Sequence, residues 1–266
     1  MQRLKRFPIS ALVFIFLIGL LPSLGYSQIQ LDDPLLVFYF PLNEGKGDII
    51  KDLGPHGLEG EIEGGPAWVD SVDKKFGTCL SFIDGKEQSA FVADVPALDL
   101  GESDTTLAAW VKTGKEVGQG FVYIKWDGGG WYIKLRDKKL YTRYHIPAPV
   151  GFGAEIPSKT EIADDVWHHV ASMRTNKETV SLFIDGKLDH KDDAGSAPGS
   201  ANTPANLEIG RFKEERFWDG EFDELFLMKR NLTNDELQLL MDGQFLAVES
   251  KGKLPLTWGS LKASRN

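Results

Sequence analysis

Cysteine is almost absent: Cys79 alone stands in the 266 residues, so no disulfide can close within the chain. Its place in the apolar run Cys79-Leu80-Ser81-Phe82-Ile83 reads as a small buried hydrophobe and not a nucleophile. Positive charge is short as well. Thirty Lys and Arg against 39 Asp and Glu leave a net charge of −9, which disfavours nucleic acid and anionic membrane as partners of the average surface. No Cys/His spacing suited to zinc and no ordered Ser/His/Asp set occurs.

One long apolar run exists, from Ile9 to Leu21. It follows the basic residues Arg3, Lys5 and Arg6 and precedes small residues around Gly25 and Ser27. That order predicts a secretory signal peptide over residues 1–27, cleaved after Ser27, with Gly25 the second choice. The run is short for a membrane span and breaks at Pro22-Ser23-Leu24-Gly25, so a membrane is expected to be met only through an uncleaved leader. No cysteine follows it to carry a lipid anchor. Cleavage removes three positive charges and no acid, taking the mature chain to −12. The expected location is secreted, either extracellular or in the cell envelope.

Residues 28–247 read as one all-β domain, with 248–266 as a C-terminal extension. Short apolar or alternating runs, punctuated by Gly, Asp, Pro and Lys, predict strands at 35–42, 78–83, 89–94, 105–113, 121–126, 131–136, 139–146, 167–174, 179–184, 206–210 and 221–229. That number suits a two-sheet antiparallel β-sandwich of the jelly-roll type. Turns at Asp127-Gly128-Gly129 and Asp137-Lys138 join neighbouring strands into hairpins. Ser81–Lys86 and Leu182–Lys187 both end in Phe-Ile-Asp-Gly-Lys, which reads as two similar turns in one sandwich and not a duplicated domain. Residues 191–205 read as a surface loop. One short helix is expected from Asn234 to about Asp242, because Thr233 and Glu236 form a capping box ahead of Leu237, Leu240 and Met241. The sequon Asn231-Leu232-Thr233 is thereby explained as a cap.

The order of motifs carries more than any one of them. Tyr39-Phe40-Pro41-Leu42-Asn43-Glu44-Gly45, Phe76-Gly77-Thr78-Cys79-Leu80, Thr106-Leu107-Ala108-Ala109-Trp110-Val111, Trp167-His168-His169-Val170, Leu182-Phe183-Ile184-Asp185-Gly186 and Phe222-Asp223-Glu224-Leu225 follow one another along the chain. In this order they resemble the laminin-G-like, concanavalin A-like lectin jelly-roll family. The resemblance implies a secreted binding or interaction module, with a metal ion in some members. By that resemblance Asp52 and Asp223 are the candidate ligands of a structural calcium.

Related jelly rolls include glycoside hydrolases with paired carboxylates on one strand. Here Glu221 and Glu224 are three residues apart, so a regular strand sends them to opposite faces, and position 226 is Phe226. No enzymatic role is expected. Alternation likewise keeps His168 and His169 out of one site: Trp167, His169, Ala171 and Met173 share a core-like face, with His168, Val170, Ser172 and Arg174 opposite.

Alternation across 121–146 gives the candidate binding surface. Val122, Ile124, Trp126, Trp131, Ile133, Leu135, Leu140, Thr142 and Tyr144 form the core side. Tyr123, Lys125, Tyr132, Lys134, Arg136, Tyr141, Arg143 and His145 form an aromatic and cationic outer face. Tyr rings stack on sugar rings and cations pair with carboxylate or sulfate. The expected partner is therefore a glycan, an anionic one included, with an extracellular protein in an adhesion or envelope scaffold as the alternative.

Overall fold

The computed structural model describes residues 29–83, 85–114 and 119–244, so the expected leader and the expected 248–266 extension lie outside the described residues. Strands run, in chain order, β1 Leu36–Phe40, β2 Ile49–Lys51, β3 Glu59–Glu63, β4 Ala67–Asp70, β5 Thr78–Phe82, β6 Ser89–Val92, β7 Thr105–Lys112 and β8 Gly120–Trp126. They continue as β9 Gly130–Arg136, β10 Lys139–His145, β11 Ile156–Glu161, β12 Trp167–Thr175, β13 Thr179–Ile184, β14 Lys187–Asp192, β15 Leu207–Ile209 and β16 Gly220–Met228. Helix α1 spans Asn234–Met241.

Every pairing is antiparallel, and two sheets face each other. One follows the order β14-β13-β12-β7-β16-β5-β4, with β1 also on β16; the other follows β11-β10-β9-β8-β15-β6-β3-β2. The jelly-roll sandwich expected from the sequence is present. Each expected strand is found, and β2, β3, β4, β11 and β14 are added. Four of these five are sheet edges. An edge strand has one hydrogen-bonded neighbour and wide contact with water, so it needs no apolar alternation to reveal it; β14 is Lys-Leu-Asp-His-Lys-Asp.

Between the sheets lies the main core, which includes Phe38, Phe40, Leu80, Trp131, Tyr144, Val170 and Leu225. A second apolar cluster covers the outer face of the β7–β16 sheet, where Leu237 and Leu240 of α1 pack with Tyr39, Ala108, Ala171, Met173 and Phe226. Thus Ala171 and Met173 belong to the core under the helix, while Val170 faces the core between sheets. The capping box forms as the sequence requires: the Glu236 amide donates to Thr233 Oγ1 at 3.2 Å and the Thr233 amide donates to Glu236 Oε2 at 2.9 Å. Arg230 donates to both oxygens of the same carboxylate, at 2.9 and 2.7 Å.

Two fully buried cations hold the glycine- and serine-rich loop that follows β14. Lys125 Nζ donates to Asp94 Oδ1 at 2.5 Å and to the carbonyls of Thr203 and Ala205 at 2.5 and 2.7 Å. Arg174 donates to the carbonyls of Ala197 at 2.8 Å and Gly199 at 3.1 Å. The loop has no strand ladder of its own, so the two side chains supply donors that a neighbouring strand would otherwise give. Replacing either with Met is expected to destabilise the fold by about 3 kcal/mol or more, since buried acceptors lose charged donors. Urea denaturation measures the loss, and limited proteolysis should then cut between residues 193 and 206.

Candidate functional site

The candidate surface is built by the consecutive hairpins β8–β9–β10. In β9 and β10 the alternation is regular: Tyr141 lies opposite Lys134 and Arg143 opposite Tyr132, so Tyr132, Lys134, Arg136, Tyr141, Arg143 and His145 share the outer face. Strand β8 departs from it. Phe121 pairs with Lys134, but the next pair is Tyr123 with Ile133, leaving Val122 as the extra residue of a bulge. Beyond the bulge the sides exchange, which corrects the expected assignment. Tyr123 and Lys125 point inward and are fully buried, while Phe121, Ile124 and Trp126 gather on the outer face with Tyr132. Tyr123 Oη reaches the carbonyls of Ala108 and Phe226 at 3.3 and 3.4 Å.

The outer face is also less open than expected. Tyr132 and Lys134 are only 5% exposed, because Glu155 and Phe212 cover them. Tyr132 Oη donates to Glu155 Oε1 at 2.5 Å, Arg136 is 2.7 Å from Oε2, and Lys134 pairs with Oε1. Phe212 packs on Phe121 with ring centroids 5.4 Å apart. Burial, then the nearby Arg136 and Arg216 charges, lower the Lys134 pKa despite its bond to Glu155. Burial acts to raise the Glu155 pKa, yet its bonds to Lys134 and Tyr132 and the Arg136 charge bring it below the usual glutamate range.

What still meets solvent is a row of half-buried groups: Trp126, Arg136, Tyr141, Arg143 and His145. The Arg136 guanidinium lies 4.0 Å from the Tyr141 ring centroid. Trp126 stacks with His145 at 5.4 Å and carries the Arg143 guanidinium at 5.3 Å. Burial and the Arg143 charge lower the His145 pKa, favouring neutral imidazole. Sequence reasoning missed Glu155, as it missed the aromatic cover of Phe121 and Phe212. An excess of cations on one face demands a counterion, but nothing local marks which acid supplies it.

On the other sheet, the β16 carboxylates also depart from regular alternation. The register slips between Asp223 and Phe226, and Glu224 adopts φ 54°. The bulge brings Glu224 to the Tyr39 hydroxyl on the same outer side as Asp223 and Glu221, contrary to the expected separation. Asp223 is fully buried and Glu224 2% exposed. Asp223 accepts from Ser71 Oγ, and its Oδ1 accepts the Glu224 amide at 2.9 Å. Glu221 pairs with Lys112 at 3.2 Å, at the mouth of a cavity of about 420 Å³ that Ser81, Thr113 and Asp165 also line.

Asp52 spans a turn: its Oδ1 accepts the amides of Tyr39 at 2.8 Å and Gly54 at 2.6 Å, and its Oδ2 that of Leu58 at 3.2 Å. Each oxygen of Asp52 and Asp223 thus accepts at least one hydrogen bond, from the turn at Gly54 in one case and from Ser71 and the β16 bulge in the other. Among the described residues no three or more His, Cys, Asp and Glu are grouped around a metal position. Cys79 is buried, and burial and the Asp223 charge raise its pKa. His168 meets Asp185 at 2.9 Å, while His169 is enclosed against Trp110 at 5.3 Å.

A sequence profile described as Concanavalin A-like lectin/glucanases superfamily matches residues 84–238. No curated protein matches the chain significantly. Among solved structures it is similar to the binding domain of Paraclostridial Mosquitocidal Protein 1, at 19% identity and TM-score 0.65, covering 79% of this chain and 52% of that one. It is similar also to the binding domain of botulinum neurotoxin DC, solved in complex with SialylT at 12% identity and TM-score 0.56. The same domain was solved in complex with rat synaptotagmin II, at 12% identity and TM-score 0.54. Both of these cover 78% of this chain and 51% of the other. The chain therefore spans about half the length of these structures, and the likeness is one of fold.

Two outcomes follow for the titrating groups. Glu155→Gln should cost about 1–3 kcal/mol at neutral pH in urea denaturation, since Lys134 loses its partner. Because the folded-state pKa of Glu155 is depressed, that difference should persist above the usual glutamate range and close as pH falls through the depressed value. His169 has its pKa lowered by burial from 6.5 to about 3, so the unfolded chain takes up a proton first as pH falls. Stability should drop by about 1.4 kcal/mol per pH unit below 6.5 on its account, and His169→Phe should remove that slope.

Proposed function

The chain belongs to the concanavalin A-like lectin/glucanases superfamily, and from that membership we propose that it is a noncatalytic binding module whose ligand is a carbohydrate held on the outer face of β8–β10. The observation that carries the reading is the half-exposed row in which Trp126, His145 and Tyr141 alternate with Arg143 and Arg136. Rings offer flat apolar faces to the C–H side of a sugar, and guanidinium groups offer paired donors to hydroxyl or carboxylate oxygens. Glu155 balances only part of the local positive charge of Lys134, Arg136 and Arg143, so an acidic glycan is favoured over a neutral one.

Catalysis is set aside on burial and not on alternation. A glycosidase needs two carboxyl groups facing the scissile bond. Here Asp223 and Glu224 are enclosed and bonded to Ser71 and Tyr39, and Glu221 is tied to Lys112. The leader expected over residues 1–27 supports a location outside the cell, secreted or in the envelope. A protein ligand, in an adhesion or scaffold role, is the second reading; the synaptotagmin II complex of a structural relative supports that class.

An array carrying neutral, sialylated, uronic-acid and sulfated glycans tests the proposal. Binding to acidic glycans is expected, with Tyr141→Ala and Arg143→Ala each lowering affinity about tenfold, equivalent to ~1.4 kcal/mol. Absence of any bound glycan, or binding unchanged in both variants, would overturn it. Calcium is not required for sugar binding in this reading, because Trp126, Tyr141, Arg136 and Arg143 make the contacts and neither Asp52 nor Asp223 belongs to that face. Array signal should therefore be the same in calcium and in chelator, while a thermal midpoint raised by calcium would assign Asp52 and Asp223 a structural ion.

A further inference from the structure

At the rim of the β8–β10 face the chain turns outward with its apolar groups in water. From Ile146 to Ala154 no residue is charged: Ile146-Pro147-Ala148-Pro149-Val150-Gly151-Phe152-Gly153-Ala154. Its base is fixed. The Ile146 amide donates to the Phe152 carbonyl at 2.7 Å, and the Phe152 amide returns to Ile146 at 3.2 Å. Arg143 Nε donates to Gly153 O at 2.6 Å. Pro147 fits onto the neighbouring β8–β9 turn only because residue 129 is glycine: a Cβ there would stand 2.7 Å from Pro147 Cγ. Ile146 is buried at 3%, but Val150 and Phe152 are 50% and 41% exposed, and Ala148 and Pro149 are exposed beside them.

A braced base and an apolar tip describe a wedge. We propose that the 147–152 loop docks the protein on a phospholipid bilayer by inserting Val150 and Phe152 at the headgroup boundary. The occupant follows from shape and size. The four exposed side chains, Ala148, Pro149, Val150 and Phe152, fall far short of the roughly 800 Å² that each partner buries in a stable protein interface. A bilayer needs no complementary surface and accepts such a tip to a depth of about 5–10 Å. The flanking groups suit its boundary. Trp126 is a half-buried indole next to the loop, of the kind that settles at headgroup level, and Arg143 brings a guanidinium to lipid phosphate. A zwitterionic surface does not repel the acidic chain, whose net charge is −9. The inference shares Trp126 and Arg143 with the glycan reading, but Val150 and Phe152, which carry it, belong to the loop alone.

The test uses the full chain and phosphatidylcholine vesicles. Val150→Cys is labelled with an environment-sensitive fluorophore; Cys79 is buried and is not expected to react in the folded protein. A second protein carries the label at Leu188→Cys, an exposed apolar position on edge strand β14. On adding vesicles the label at 150 should shift to the blue and be quenched by a lipid-phase quencher, while that at 188 stays water-like. Adding Phe152→Asp to the Val150→Cys protein should reduce the shift at least tenfold in apparent affinity. Binding through the leader alone would bring the chain to the vesicle and leave position 150 in water, and that result overturns the proposal. Equal shifts at both positions overturn it too. A shift that grows with protein concentration without vesicles assigns the loop to a second copy of the chain and overturns it as well.

Discussion

Strand β16 must serve three neighbours with two edges. Strand β7 takes one edge along most of its length; the other is shared, with β5 on Gly220–Phe222 and β1 on Leu225–Met228. Between those two partners the backbone has to cross a gap. Glu224 does so with a left-handed conformation, its amide turned to the Asp223 carboxylate, while its own carboxylate reaches Tyr39 of β1. Asp223 reaches Ser71 in the segment between β4 and β5. The side chains thus supply bonds where a ladder is interrupted, and the jelly-roll crossing depends on them. Acidic groups placed in this way hold the crossing together.

The same logic explains how much could be read in advance. Alternating strands such as β9, β10 and β12 announce themselves, and α1 is written in its cap residues Thr233 and Glu236. A bulge has no comparable signature. One extra residue at Val122 reversed the orientation of Tyr123, Lys125 and Trp126, and one near Glu224 brought a carboxylate to an unexpected side. In both places tertiary bonds decide the register: Lys125 finds Asp94 and two loop carbonyls inside, and Glu224 finds Tyr39. Those partners are 31, 78, 80 and 185 residues distant, beyond any local pattern. Of the eight residues expected on the outer face, six are there, and two of those six lie under a carboxylate that no motif pointed to.

Charge of both signs is enclosed in this acidic protein. Lys125, Lys134 and Arg174 are buried, and so are Asp52, Asp223, Glu224 and Glu236. Burial takes three cations and four acids out of water, so the solvent-facing surface stays acidic. Against that background the half-exposed Arg136 and Arg143 stand out as local features, which gives the outer face of β8–β10 its electrical contrast with the rest of the molecule.

The outermost strands carry one more implication. β2 ends in Lys51, β4 in Asp70, β11 in Lys159-Thr160-Glu161, and β14 bears Lys187, Asp189, Lys191 and Asp192. An open sheet margin is a template onto which another copy can add its own strand, and charged side chains along it make that addition unfavourable. At these four margins, the addition of another copy's strand is disfavoured by the charges along them.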